Sequence, residues 1–67
     1  MEIKNQVKKF RKEQDITQAD LAKQLDVSRQ TVNAIETGKY DPSLELALKI
    51  AKYFGESVEE LFNLEKD

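Results

Sequence analysis

Apolar residues recur along this chain at three- and four-residue intervals, the spacing of helices that bury one face. Val7 and Phe10, with Ile3 one turn earlier, share one side of a helix, and the lysines lie elsewhere. The pattern therefore predicts a first helix over residues 4–14.

Two short helices with capped starts are predicted next. Thr17 has the chemistry of an N-cap residue and opens a second helix that runs to about Leu25. The same arrangement recurs at Ser28, which opens a third helix that ends near Thr37 with Gly38 as its stop. Because the sequence determines where each of these two helices begins, we expect it to determine the angle between them as well.

The second half of the chain predicts a longer helix and a short one. Ser43 caps the fourth helix, which Gly55 ends, and Ser57 caps the fifth. We expect the buried side of the fourth helix to consist of Leu44, Ala47, Leu48, Ile50, Ala51 and Phe54. The predicted class is all-α, with five helices.

The two ends of the chain have short alternating patterns that leave two alternatives open. "MEIKN" carries Ile3, and "FNLEKD" carries Phe62 and Leu64. These segments either fray or pair as a minimal two-stranded ribbon, which would need backing by the domain because an isolated ribbon is marginal in water.

The second and third helices read as a helix-turn-helix, at about residues 18–37. Ala22 is the small residue at the crossing, and Val32 and Ile35 define the inward side of the third helix. Gln30, Asn33 and Thr37 then point nearly the opposite way, with Arg29 on their flank. Arg can bind guanine, and Gln or Asn can bind adenine, through paired hydrogen bonds in the major groove, so this face suits base readout.

Composition restricts the remaining chemistry. The chain has neither Cys nor His, which excludes imidazole-based nucleophilic catalysis and the usual zinc sites. We therefore expect no enzyme activity, metal, cofactor or small-molecule ligand. We also expect a cytoplasmic protein with no membrane partner, because the sequence has neither an apolar run of membrane-spanning length nor a signal-peptide pattern.

Net charge is −2, which at first argues against nucleic acid, but the charge is unevenly distributed. Residues 1–39 carry 8 basic against 6 acidic side chains, and residues 40–67 carry 3 against 7. Binding to DNA would therefore depend on geometry and a few well-placed groups. One basic cluster is interpreted as solubilising charge, with phosphate contact as the alternative; it consists of Lys8, Lys9, Arg11 and Lys12.

These features resemble the Cro/C1-type helix-turn-helix (XRE) family of bacterial, phage and plasmid regulators, and especially short one-domain members such as small cytolysin-operon repressors. The matching residues are Gln18, Leu21, Ala22, Leu25, Val27, Ser28, Val32, Ile35, Glu36 and Gly38, followed by "YDPSLELALKIAKYFGESVEELF". The resemblance covers residues 3 to about 62. It departs at Asp26, where the family often has Gly; we expect left-handed backbone there, which Asp tolerates better than most residues.

The resemblance implies a symmetric dimer on double-stranded DNA with two half-sites. It implies base readout by Arg29, Gln30 and Asn33. It implies backbone or groove-edge contacts by Gln18, Ser28, Thr31, Thr37, Lys39 and Tyr40. Glu36 is expected to be structural, tethering the loop or a basic side chain, since phosphate would repel a carboxylate.

The sequence thus predicts one DNA-binding domain over residues 1–67, a bacterial, phage or archaeal repressor that binds an inverted-repeat operator as a homodimer. The dimer surface is expected among Val58, Leu61, Phe62 and Leu64, part of which must close the core instead. Two alternatives stay open: an antitoxin or restriction-controller of the same fold, and a protein-interaction module that does not bind DNA.

Overall fold

The computed structural model describes residues 2–65 and contains all five expected helices. In chain order the elements are β1 (Glu2–Asn5), α1 (Val7–Glu13), α2 (Gln18–Leu25), α3 (Arg29–Glu36), α4 (Leu44–Phe54), α5 (Val58–Leu61) and β2 (Phe62–Glu65). The mainly helical class is confirmed. None of the helices within this range has the length and apolar character that a bilayer crossing requires.

Residues 2–5 and 62–65 form the antiparallel ribbon rather than fraying, and the remaining terminal residues of the two predicted segments lie outside the described residues. Ile3 lies opposite Leu64, and Asn5 lies opposite Phe62. The predicted start of the first helix at residue 4 is wrong, because residues 2–5 pair with the far end of the chain and α1 begins only at Val7.

Asn5 fastens the ribbon to the helices. Its Nδ2 donates to the carbonyl of Ile35 at 2.9 Å, and its Oδ1 accepts from the Val7 N–H at 3.2 Å. The neighbouring Gln6 N–H donates to the Leu61 carbonyl at 2.8 Å. These bonds supply the backing without which a two-stranded ribbon is marginal, and they connect the ribbon to the end of α3.

Four helix starts are capped as the sequence predicts. The hydroxyls of Thr17, Ser28, Ser43 and Ser57 each accept from the backbone N–H three residues later. At Thr17 the cap is reciprocal, because the Asp20 carboxylate also accepts from the Thr17 N–H at 3.1 Å. A cap of this kind stabilises a helix by about 1 kcal/mol, so the sequence sets these boundaries strongly.

One apolar core joins the helices. Its largest fully buried side chains are Val7, Leu21, Val32, Ile35, Ile50 and Leu61. Two members of the predicted buried side of α4 are wrong: Leu44 is 74% exposed and Leu48 is 53% exposed. The core takes Leu46 instead, because apolar residues cover more than half of the circumference of α4 and the buried face is centred near Ile50 and Phe54. Leu44 and Leu48 lie beyond one edge of that face.

Candidate nucleic-acid interface

The turn between α2 and α3 has the geometry expected from the sequence. Asp26 ends α2 in the left-handed region, at φ 59° and ψ 45°, which confirms the conformation predicted for this position. Ser28, the N-cap residue of α3, follows two residues later. Val27 between them packs against the core, so the turn is fixed on both sides.

Helix α3 separates buried apolar residues from exposed polar ones. Val32 and Ile35 are each 1% exposed and face the core. Arg29, Gln30 and Asn33 are exposed. The structure therefore places these three groups together on the outer surface of one helix, as the sequence pattern predicts.

Two hydroxyls meet at the start of α3. Ser28 Oγ accepts from the Thr31 N–H at 3.1 Å and lies 2.9 Å from Thr31 Oγ1. Ser28 is exposed and Thr31 is half-buried. The positive end of the helix dipole lies here, which favours an anionic group such as phosphate.

Helix α3 leads into an exposed loop. The Thr37 hydroxyl donates to the Asn33 carbonyl at 2.9 Å, so its hydrogen is engaged within the helix. Gly38 follows with φ 79°, a conformation that favours glycine. The Lys39 and Tyr40 N–H groups donate to the Ala34 carbonyl at 2.9 and 3.2 Å. Both of these side chains are exposed, on the side of the molecule where α3 ends.

The expected tether of Glu36 is an ion pair with Arg11. The two side chains are almost fully buried, with 1% and 10% of their surface exposed, and Arg11 Nε lies 2.6 Å from Glu36 Oε2. Hydrogen bonding to Glu36 raises the pKa of the Arg11 guanidinium above its ordinary value. Arg11 therefore differs from the other members of the basic cluster (Lys8, Lys9 and Lys12), which are exposed.

Gln18 has contacts that the sequence did not indicate. Its Nε2 donates to Asn33 Oδ1 at 3.1 Å and to Glu36 Oε1 at 3.0 Å. The side chain is half-buried between α2 and α3. Nothing in the local pattern could have revealed this arrangement, because the partners lie 15 and 18 residues away.

The residues expected at a dimer surface are divided by the structure. Leu61 is 0% exposed and belongs to the core, so it has no surface to offer a partner. Val58 and Phe62 are half-buried and pack against the core, and Leu64 is 64% exposed. The exposed pair Leu44 and Leu48, one turn apart on α4, was missed because both were expected to be buried.

Comparison with known proteins also identifies a helix-turn-helix protein. A protein-family model described as "Helix-turn-helix" matches residues 7–61. An uncharacterized HTH-type transcriptional regulator of Methanocaldococcus jannaschii is 58% identical across 97% of this chain and 98% of the relative. A second such regulator, from Bacillus subtilis, is 48% identical over the same shares of both chains.

A solved structure matches as well. The restriction-modification controller protein C.AhdI from Aeromonas hydrophila superposes with a TM-score of 0.76 and 28% sequence identity. The match covers 85% of this chain and 83% of that one. The likeness in fold thus extends over most of both proteins.

Proposed function

The chain belongs to the Cro/C1-type helix-turn-helix family of transcriptional regulators, and from this premise we propose that it is a repressor that binds an inverted-repeat operator as a homodimer. The observation that carries the proposal is the outer face of α3. There Arg29, Gln30 and Asn33 are exposed while Val32 and Ile35 hold the helix to the core. This arrangement lets the helix lie in a major groove without disturbing the fold.

The three exposed side chains divide the readout by chemistry. Arg29 carries a guanidinium that matches the O6 and N7 acceptors of guanine. Gln30 and Asn33 each carry a donor and an acceptor, which suits adenine and other edges of mixed character. Because all three lie on one short helix, one half-site of a few base pairs can meet them together.

Phosphate contacts position the protein and base contacts choose the sequence. We assign the positioning contacts to Ser28 and Thr31 at the start of α3, and to Lys39 and Tyr40 in the loop after it. The main-chain N–H of Gln18, in the first turn of α2, joins them because the first N–H groups of a helix lack partners within that helix. Thr37 is assigned to the groove edge, with its hydroxyl oxygen as an acceptor.

The dimer places two copies of α3 in successive major grooves, about 34 Å apart. We assign the interface to the exposed stripe formed by Leu44 and Leu48, which are 74% and 53% exposed. An interface around a two-fold axis brings the same patch of both subunits together, so the patch must complement itself. An apolar stripe meets this requirement, because it can pack against an identical apolar stripe of a second copy of the chain. The stripe is flanked by one charge of each sign, Glu45 and Lys49, whose Oε2 and Nζ lie 3.6 Å apart.

Repression follows from occupancy. A dimer that covers two half-sites within a promoter excludes other proteins from the same grooves. Such a regulator acts where the chromosome lies, in the cytoplasm of a bacterium or archaeon.

The experiment that tests the proposal is selection of DNA by the full chain from a pool of randomised duplexes. We expect enrichment of an inverted repeat whose half-site centres lie about one helical turn apart. Binding of the selected duplex should weaken linearly in log–log plots against salt, because counterions are released from phosphates. Failure to enrich any sequence, with no binding even at low salt, would favour a protein-interaction module.

A restriction-controller role is the second candidate, favoured by the likeness to C.AhdI. It uses the same fold and the same reading face, and differs in the genes that the operator controls. The observation that separates the two is whether selected sites lie upstream of restriction and modification genes in the chromosome. Sites elsewhere favour the repressor.

A further inference from the structure

A chain of polar contacts runs from the first helix to the reading face. Arg11 Nε and Nη2 donate to the two oxygens of Glu36 at 2.6 and 3.1 Å. Glu36 Oε1 also accepts from Gln18 Nε2 at 3.0 Å, and the same nitrogen donates to Asn33 Oδ1 at 3.1 Å. The ion pair and the exposed amide of Asn33 are thus joined through one glutamine.

The chemistry of the groups determines which atom donates and which accepts in each of these hydrogen bonds. A carboxylate only accepts hydrogen bonds, so the amide nitrogen of Gln18, rather than its oxygen, must face Glu36. That nitrogen has two hydrogens, and the second points to Asn33. A donor facing Asn33 in turn selects its oxygen as the near atom and directs its NH₂ group elsewhere.

We propose that Gln18 is a positioning residue for base readout, and that the Arg11–Glu36 pair sets the orientation of Asn33 through it. Asn33 then presents its Nδ2 donor to the major groove, with one lone pair of Oδ1 already occupied. A donor favours base edges that display acceptors, which are present on guanine, adenine and thymine. Cytosine displays only the N4 donor there, so it is the base disfavoured most at the Asn33 position.

This inference rests on the proposed function, because it requires α3 to read bases. It also changes the role of the Gln18 side chain. Both of its N–H groups are engaged inside the protein, so a phosphate clamp by that amide would have to break one of these bonds. The contact of Gln18 with phosphate is left to its main-chain N–H.

The test uses the full chain, the selected operator and duplexes with each of the four bases at every half-site position. Asn33→Ala first identifies the position whose base preference depends on Asn33. Gln18→Met, which is similar in length but lacks the donor, is then compared with wild type there. Gln24→Met makes the same change at an exposed glutamine of the same helix and serves as the matched control.

We expect Gln18→Met to reduce discrimination against cytosine at that position by about 3- to 10-fold, the value of one hydrogen bond. Preferences at the other positions should persist, and Gln24→Met should match wild type. The double variant Gln18→Met/Asn33→Ala should show the same base preference as Asn33→Ala alone. Gln18 acts on this preference only through Asn33, so its substitution has no further effect once Asn33 is removed.

Four results would overturn the proposal, and each indicates a different cause. Equal weakening of Gln18→Met on all four duplexes would assign its side chain to phosphate. An unchanged preference would show that Asn33 needs no positioning. If Asn33→Ala itself alters no position while Arg29→Ala and Gln30→Ala do, Asn33 does not read bases; if none of the three does, the proposed function fails.

A second measurement keeps the proposal testable if Gln18→Met unfolds. In the free wild-type protein, NMR should show both Gln18 side-chain NH₂ protons slowed in exchange with solvent relative to those of Gln24. Equal exchange at the two glutamines would contradict the arrangement.

Discussion

The guanidinium of Arg11 and the carboxylate of Glu36 form a buried, doubly hydrogen-bonded ion pair between α1 and α3, with Nε and Oε2 2.6 Å apart. Arg11 Nη1 also donates to the Ile16 carbonyl at 2.8 Å, just before α2 begins. Arg11 of α1 is therefore bonded both to α3 and to the segment that leads into α2, the two helices of the helix-turn-helix.

The first prediction concerns this pair. Glu36→Leu should lower the free energy of unfolding by about 3–5 kcal/mol, because it leaves the Arg11 charge buried without a partner. Urea denaturation at neutral pH measures the change. Arg11→Met/Glu36→Leu should recover much of the loss, and Lys12→Met, at an exposed neighbour, should stay within about 0.5 kcal/mol of wild type. Equal effects of Glu36→Leu and Lys12→Met would contradict the role of the pair.

The second prediction concerns the turn. Asp26 has φ 59°, where a residue with a Cβ is strained by about 1 kcal/mol and glycine is not. Asp26→Gly should therefore be neutral or stabilising in thermal unfolding, since the greater freedom of glycine in the unfolded chain offsets part of the gain. Asp26→Val should destabilise clearly, because a β-branched side chain is poorly tolerated in this conformation. A marked loss of stability in Asp26→Gly would refute the account.

The third prediction is a pH dependence at the start of α2. The Thr17 N–H donates to the Asp20 carboxylate and lowers the pKa of that group below its ordinary value. Because the folded pKa lies below the unfolded one, the carboxylate stabilises the protein above the unfolded value, about 4. That contribution is lost as pH falls through the lower folded pKa.

Asp20→Asn should accordingly have a lower melting temperature than wild type at pH 7, and the difference should shrink as the pH falls through the lowered pKa of the folded-state carboxylate. Glu13→Gln, which removes one exposed carboxylate elsewhere, is the control and should not reproduce this profile. A difference that persists unchanged in acid would show that the charge of Asp20 has no part in the cap.

The fourth prediction concerns the dimer. Leu48→Glu should shift sedimentation toward the monomer and weaken operator binding, because it places a charge within the apolar stripe on α4. Leu64→Glu makes the same change at a residue of the ribbon that is 64% exposed, and it should leave the dimer intact. If Leu64→Glu dissociates the dimer and Leu48→Glu does not, the interface lies at the ribbon, as the sequence pattern of the C-terminal residues predicts, and not on α4.

Local signals in the sequence predict much of this fold. The caps at Thr17 and Ser28 each depend on residues within one helical turn, so they can be predicted directly from the sequence. The outward direction of Arg29, Gln30 and Asn33 follows in the same way, because the periodicity of α3 leaves one apolar side. The left-handed backbone at Asp26 was instead expected from the glycine that the resembling family often has at this position.

Features that depend on contacts between distant parts of the chain could not be predicted from local sequence patterns. The start of α1 was misplaced because Ile3 fits both a helical and an alternating pattern, and only its partner Leu64 decides between them. The side of α4 that is buried was ambiguous for a similar reason, since Leu44 and Leu48 are as apolar as their buried neighbours. The hydrogen bonds of Gln18 to Asn33 and Glu36 could be identified only from the folded structure, because packing of α2 against α3 brings these residues together.

Base readout by α3 is tested by the variant Gln30→Ala. Its affinity for the selected operator and for a random duplex should be measured at one fixed salt concentration. Gln30→Ala should lose about 1–3 kcal/mol of binding free energy on the operator with little change on random DNA, so that the ratio of the two affinities falls. Equal weakening on both duplexes would contradict this prediction, because a uniform loss is the signature of a phosphate contact rather than of base readout.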